Sequence, residues 1–568
     1  MSIAYTFSTP AEFDVEVFGD TGTSLGQAKL EVGGRSGASL AFRWTTVSPV
    51  LEDDLTLDRL VARTAEGQAF TLFHCQYHSY RAYIGQVVEG ETTDAFTEVG
   101  VRFTNLTEWF LSGQRVRGEA GDTLKWEGRP EAIDVEVETP HGALWVRSTV
   151  ETSMRQSGDD TVITDQLWLS VGAETPFSIA DARERCRDLS IFLTILLARP
   201  VDILEVTVAV ATGQHRHAWV QYFEPHTGDG GRRGWPRFLM RWPIVDGQWK
   251  RLLENYYRSV FRAVSWTRVA GMLRYEGFWD FRFFGYVALL DGVVKLKAGN
   301  AGTEVIGPPR DAVHALRGTL PTMAEPLSRG QKAEIIALVR KAFTREVESF
   351  GGRYRQAVGA SDQGVIDAIN ITSQEFKVIK ETRDAIAHGD DMALSPQAYA
   401  DMQTLTNKVA LLLTYWAWED FGLTAADFLD CLHQTHSPMV MGANIDRVAV
   451  DRARGHAEFH VFTESAFDRL PVSKGQVLHQ CFTQVPGEGI EYSERFSAVL
   501  KTLVRQGRLA PEQLADAIGV VPDKVRISGP AYIECGPRVV ELVWVYIIET
   551  GENDLSLRGL SEKATGVP

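Results

Sequence analysis

The residues best suited to chemistry sit on one stretch, ITSQEFKVIKETRDAIAHGD, at positions 371–390. They are Arg383, Asp384 and His388. An arginine keeps its charge at any working pH, and an imidazole takes up or gives up a proton near neutrality. Together they can stabilise the extra negative charge of a phosphodiester in its transition state and move a proton, which is what cleavage of a nucleic-acid backbone needs. On a helix, Asp384 and His388 are neighbours at a spacing of four. Arg383 and His388, five apart, are turned by about 140° and would flank a cleft rather than stack. The competing reading of the same residues is an ion pair through Arg383 between packed helices, with His388 capping a helix end.

The stretch reads as a single helix. Thr372 and Glu375 make a T-x-x-E capping box, and Gly389 follows the last periodic residue, where a left-handed cap belongs. Phe376, Ile379, Ile386 and Ala387 recur at helical spacing on one face, with Arg383 among them. An arginine on an apolar face is costly unless it meets a carboxylate, a facing helix or an anionic ligand. His388 falls in the last turn, where the helix dipole favours a cation.

Arg383-Asp384-Ala385-Ile386-Ala387-His388 resembles the R-x4-H signature of HEPN-domain ribonucleases, and the pair His388-Gly389 is similar to that family as well. Further upstream, GGRSGASLAFRW, GQAFTLFHCQYH and VRFTNLTEWF resemble the N-terminal β domain of ApeA-type HEPN proteins, including the segment Phe103 to Trp109. The resemblance implies a metal-independent endoribonuclease without a cofactor. It would cut RNA, transfer RNA among the candidates, in antiphage abortive-infection defence. A phage-derived protein would act through the N-terminal sensor half as the trigger. The resemblance also implies a site shared by two protomers, hence a homo-oligomer, at least a dimer. In it His388 moves the proton, Arg383 pairs with the phosphate, Asp384 orients His388 or a base, and the product is a 2′,3′-cyclic phosphate.

The chain has 568 residues, 44% hydrophobic and 23% charged, which fits a soluble multidomain α+β protein. Its net charge of −16 supplies no global field to attract nucleic acid, so any RNA contact must be local. The five cysteines stand singly, which argues against a zinc ribbon or a disulfide framework. No basic-then-apolar leader is visible. The apolar runs 189–198 and 409–418 are about half of the ~20 residues a membrane span needs, so a cytoplasmic protein is expected.

Four regions follow from patterning. Residues 1–172 alternate at period two and predict an antiparallel β-rich domain. Within it, His74 and His78 would share a face opposite Cys75, as ordinary strand residues rather than metal ligands, and Trp109 and Trp126 would pack. Residues 173–320 read as a mixed α/β sensor region. It opens with a helix over 178–198 capped by Ser178, and continues with a strand over 201–210. The Gly- and Arg-rich loop 226–244 follows, then a helix over 247–264. Arg232, Arg233, Trp235 and Arg237 in that loop are candidates for contact with single-stranded RNA or a partner, through phosphate pairing and stacking.

After a linker over 317–330, residues 327–423 predict an all-helical bundle, the HEPN domain of the resemblance. Its first helix is capped by Ser328 and ends at Gly351. A short piece around 363–370 precedes the Arg383 helix, and a long helix follows Pro396. The run 409–418 is wider than one stripe and is expected to meet another subunit or the C-terminal region. Residues 424–568 predict a small α/β appendage with strands near 444–450 and 456–463 and helix over 494–525. LAPEQLADAIGV only faintly suggests a DNA-reading helix pair. The alternative to a ribonuclease is a non-catalytic HEPN scaffold holding a protein or nucleotide partner in the same pocket. A third is a carbohydrate- or peptide-binding β domain with a helical dimeriser.

Overall fold

Alternation at period two builds most of the first 220 residues into one sheet. The computed structural model describes residues 10–33, 37–43, 54–118, 123–210, 213–220, 237–298, 314, 318, 328–343, 350–388, 395–484 and 489–550. The strands are β1 (Ala11–Phe18), β2 (Ser24–Val32), β3 (Ala38–Phe42), β4 (Thr56–Thr64), β5 (Ala69–His78), β6 (Arg81–Glu89) and β7 (Phe96–Phe103), then, after helix α1 (Leu106–Phe110), β8 (Arg115–Arg117), β9 (Lys125–Glu127), β10 (Asp134–Thr139), β11 (Gly142–Ser157) and β12 (Asp160–Phe177). Helix α2 (Ile179–Leu197) leads to β13 (Ile203–Val210) and β14 (His215–Val220). Twelve of these strands form one sheet in the order β10-β11-β12-β7-β13-β14-β6-β3-β2-β1-β4-β5, and β6 pairs with β5 as well.

That last pairing closes β1 to β6 into a ring. Along one side β6 pairs with β5 from end to end. Its other side is shared, Arg81–Ile84 with β3 and Gln86–Val88 with β14. The ring is filled by alternating residues such as Val17, Leu30, Leu40, Leu60, Phe70, Leu72 and Val87. Cys75 points into this core while His74 and His78 point outward, the former to Gln86 at 2.7 Å and the latter to Asp54 at 3.1 Å. Burial pushes the Cys75 thiol up to about 12, so it is a small core residue rather than a nucleophile. Trp109 is fully buried and its indole N–H donates to the Met240 carbonyl at 2.8 Å, whereas Trp126 is half-buried.

The sheet does not stop at residue 172. β13 pairs with β7 and β14 with β6, so residues 203–220 complete it rather than open a separate region. The capping box at Ser178 and Asp181 starts α2 as expected. Beyond it lie α3 (Trp242–Val245), α4 (Trp249–Arg258), a π-helical turn (Arg262–Trp266), α5 (Thr267–Arg274) and α6 (Trp279–Lys297). Then follow α7 (Arg329–Phe343), α8 (Phe350–Gly359), α9 (Gln363–Ile369), α10 (Ser373–His388), α11 (Pro396–Phe421), α12 (Ala425–Gln434) and α13 (Pro438–Ala443). Ser328 caps α7 through Gln331, as its position predicts, and most of the expected linker lies outside the described residues.

Three expectations are corrected here. Gly351 ends no helix: it sits in the first turn of α8, and neither Gly351 nor Gly352 adopts the left-handed conformation of a cap. Of the two covers expected for the run 409–418, the second subunit is not needed, because every residue from Val409 to Trp418 is buried by the chain itself, while residues beyond 423 do cover it, as expected. The Trp418 indole donates to the Ile195 carbonyl of α2 at 3.1 Å, the Trp416 indole to Ser361 at 2.8 Å, and the Tyr415 and Trp418 rings pack on Phe428 of α12. Those last contacts also tie α12 to the bundle, so the division expected at 423 falls later. The chain forms two compact units, Met1–Ile445 and Asp446–Pro568.

The second unit holds α14 (Arg447–Arg454), β15 (Glu458–Val461), α15 (Glu464–Phe467), β16 (Gln476–Leu478), β17 (Cys481–Gln484), β18 (Ile490–Tyr492), α16 (Glu494–Arg505), α17 (Pro511–Ile518), β19 (Val525–Ser528), β20 (Ala531–Cys535), β21 (Arg538–Val543) and β22 (Val545–Glu549). The strand expected near 444–450 is a helix, because the Asp446 side chain caps the Ala449 amide and Gly455 closes the far end. A strand, β19, follows α17 where a recognition helix would have to lie. Its two four-stranded sheets run β15-β20-β21-β16 and β18-β17-β22-β19. Among the described residues, no helix is long and apolar enough to cross a membrane.

Candidate active site on the Arg383 helix

Helix α10 begins as its sequence predicts. The Thr372 amide donates to the Glu375 carboxylate at 2.7 Å, and the Glu375 amide donates to the Thr372 hydroxyl at 3.1 Å. Gly389 lies outside the described residues. The helix buries Ile379 and Thr382, with Phe376, Arg383 and Ile386 half-buried beside them. Phe376 stacks on Tyr354 of α8, ring centroids 4.0 Å apart and planes 12° from parallel.

A buried lysine pins the start of α10 to α11. The Lys408 ammonium donates to the Asn370 carbonyl at 2.7 Å and to the Glu375 carboxylate at 2.8 Å, with Lys408 only 5% exposed. Burial pushes the Glu375 carboxyl up. The Lys408 ammonium, with the Thr372 amide and hydroxyl, outweighs burial and holds the group below its ordinary value. A carboxyl depressed in the fold contributes stability that is fully present above its unfolded value, about 4.3, and is lost as pH falls through the lower folded value. The melting temperatures of the parent and of Glu375→Gln are therefore expected to differ at pH 7 and to converge as the pH falls through the lowered folded value of Glu375. A difference that stays constant with pH would show that ionisation of Glu375 plays no part in holding the helix.

Arg383 is not a lone cation. Its Nη2 donates to Asp291 Oδ2 at 3.2 Å, and Asp291 Oδ1 accepts from Arg353 Nη2 of α8 at 2.8 Å. One carboxylate on α6 thus bridges two arginines on α8 and α10. The guanidinium of Arg383 also lies over the Phe350 ring, 5.4 Å from its centroid. Asp384 is at 4.0 Å from Arg383 and is exposed, and no hydrogen bond joins it to His388. His388 is exposed in the last turn of α10. Arg383 therefore does form the interhelical ion pair of the competing reading, while remaining 30% exposed at its side chain and reachable from solvent. Among the described residues, no group of three His, Cys, Asp or Glu side chains could hold a metal.

The other candidates fare differently. Arg232, Arg233 and Trp235 lie outside the described residues. Arg237 is half-buried, and its neighbours Phe238 and Trp242 are buried, Trp242 against Trp109, Phe110 and Trp249. The aromatics of that end of the loop thus pack into the protein rather than offering a stacking surface. A cleft of about 230 Å³ near the end of α11 is lined by Phe261, Trp266, Lys297, Trp416, Glu419 and Asp420. Its charges are already satisfied internally, Lys297 by Glu419 at 2.9 Å and Asp420 by the Ser259 hydroxyl and the Trp266 indole. Sequence reasoning missed Asp291 and Arg353. A signal for the first was present: Asp291 stands alone in the apolar run VALLDGVV, where a carboxylate demands a cation.

Residues 9–256 match the family model described as ApeA N-terminal domain 1. Over these residues the chain is similar to that domain. The match covers the twelve-stranded sheet, α2 and most of α4, so the similarity runs past the expected boundary at 172, as the strand pairing does. No curated protein and no solved structure matches the chain.

Proposed function

We propose that the protein is an antiphage defence ribonuclease whose ApeA-type N-terminal domain senses infection and whose Arg383 helix cuts RNA. The observation that carries the reading is the surface-accessible pair Arg383 and His388 on one helix, pinned at its start by Lys408, within a chain whose N-terminal region is similar to ApeA N-terminal domain 1. In the proposed reaction an imidazole takes the 2′-hydroxyl proton and the 2′-oxygen attacks phosphorus. The bond to the 5′-oxygen then breaks and that oxygen is protonated, leaving a 2′,3′-cyclic phosphate. Arg383 bears the charge that develops on the phosphoryl oxygens. A homodimer bringing two such helices together would supply one imidazole for each proton. Because the run 409–418 is internal, its interface must use other surface, such as α7, where Leu338 is 60% exposed.

Arginine and imidazole suffice for this chemistry, so cleavage of a labelled RNA by the purified full chain is expected to persist in excess EDTA. Activity lost to chelation and restored by Mg²⁺ or Mn²⁺ would assign the reaction to other residues. The scaffold reading predicts no cleavage under any condition, with a partner retained by the same surface.

A further inference from the structure

We infer that Asp291 stands where an RNA phosphate binds, so that Arg353 and Arg383 form a two-arginine phosphodiester subsite now filled by the protein's own carboxylate. The inference rests on the reading of this surface as RNA-binding, and adds to it a second arginine and an internal competitor. Three observations carry it.

The charges do not balance. Arg353 and Arg383 both address Asp291, one on each oxygen, at 2.8 and 3.2 Å. Among the described residues, the only other carboxylate paired with either arginine is Asp384, at 4.0 Å and 53% exposed at its side chain, where solvent screens it. Two cations held by one half-buried carboxylate leave a net positive site. The donors also do not balance. Arg353 has a side chain only 17% exposed, and its Nε is buried without a hydrogen-bond partner among the described residues. A buried donor left unfilled is costly, and a phosphate has more oxygens to offer than a carboxylate. Finally, the geometry suits a tetrahedral anion. Two guanidinium groups converge on the two oxygens of one anion, and the Arg383 guanidinium carbon sits over the Phe350 ring.

Asp291 is thus a stand-in anion on α6, a helix that packs against α8, α10 and α11. While it holds both arginines, RNA must compete with it. Displacement of Asp291, by the substrate or by a shift of α6, frees both cations at once.

The test uses a short single-stranded DNA oligonucleotide, which presents the phosphodiester but has no 2′-hydroxyl to react. Its affinity for the full-length parent, Asp291→Asn and Arg353→Gln is measured by fluorescence anisotropy over a salt series. Removing the competing charge is expected to tighten binding about tenfold in Asp291→Asn. Arg353→Gln is expected to weaken it by a similar factor and to lower the magnitude of the salt slope by about 1. Unchanged or weaker binding by a folded Asp291→Asn would overturn the inference. Should that variant melt early, Arg353→Gln decides, because it keeps the Arg383–Asp291 pair: an affinity and slope equal to the parent's would overturn it. Cleavage is scored separately on the matching RNA. Tighter binding by Asp291→Asn with no cleavage by the parent leaves the subsite standing and removes the ribonuclease reading. Cleavage by the parent without tighter binding does the reverse.

Discussion

His388→Ala is expected to slow RNA cleavage by about 10²–10⁴-fold and Arg383→Ala by about 10²–10³-fold, the first through lost proton transfer and the second through lost charge stabilisation. Both variants should remain folded, for different reasons. His388 is exposed at a helix end, so its removal should change stability by no more than about 0.5 kcal/mol. Arg383 does make an ion pair, but its loss does not strand Asp291, which keeps Arg353 at 2.8 Å. The cost is therefore expected to be that of a half-exposed pair, about 1 kcal/mol, rather than that of an abandoned buried charge. The double variant should lose little beyond either single one, since the two residues act as a unit. Arg383→Lys should fail too, because an ammonium cannot reproduce the planar fork. Asp384→Ala should be mild, as that side chain is exposed and makes no hydrogen bond to His388. The decisive measurement sets melting temperature beside cleavage rate. A folded His388→Ala protein cutting at the parent rate would end the assignment.

The largest effect on stability is expected from Lys408→Met. Methionine roughly fills the space, so little of the loss comes from a cavity. What remains is the half-buried carboxylate of Glu375, left with the Thr372 amide, and the carbonyl of Asn370 at the end of α9, both deprived of the Lys408 ammonium. Losing hydrogen bonds to a charged group costs about 2 kcal/mol. Adding Glu375→Gln should recover part of that, because a neutral amide tolerates the site better than a carboxylate. Thermal unfolding followed by aromatic fluorescence reads the result, since the tryptophans of α11 lie in the same bundle. A Lys408→Met protein that melts within a degree of the parent would show that α10 is held by its apolar face alone.

What could be read in the sequence follows the range of the interactions. The start of α10 was legible because its capping box spans three residues, and the strands because period two is written locally. The pairing of Arg383 was not, because Asp291 lies 92 residues upstream and nothing between them marks the contact. The surplus width of 409–418 was visible, and half of its cause was too. Of another subunit and the C-terminal region, the structure supplies the second through α12, and adds α2. Near 444–450 the apolar residues Ile445, Val448 and Val450 suggested a strand. The stronger signals were Asp446 and Gly455 at the ends of 447–454. The Gly351-Gly352 pair misled in the opposite way, since glycine permits a helix stop without requiring one.

The closed ring formed by β1 to β6 limits how a trigger could be perceived. Because β6 meets β5 on one side and both β3 and β14 on the other, none of the six strands is an end strand of the sheet. Among the described residues only short stretches of the ring, such as 11–14 of β1 and 56–60 of β4, have a single partner strand, so the ring leaves little edge for strand addition, the cheapest way for one protein to recognise another's backbone. The outermost strand at the open end of the sheet is β10, whose sequence DVEVET is acidic, and its Glu138 amide is already taken by Glu254 of α4. If the domain senses infection as proposed, recognition would then fall chiefly to side chains and loops. That is a vocabulary that can change from one relative to the next without disturbing the strands beneath.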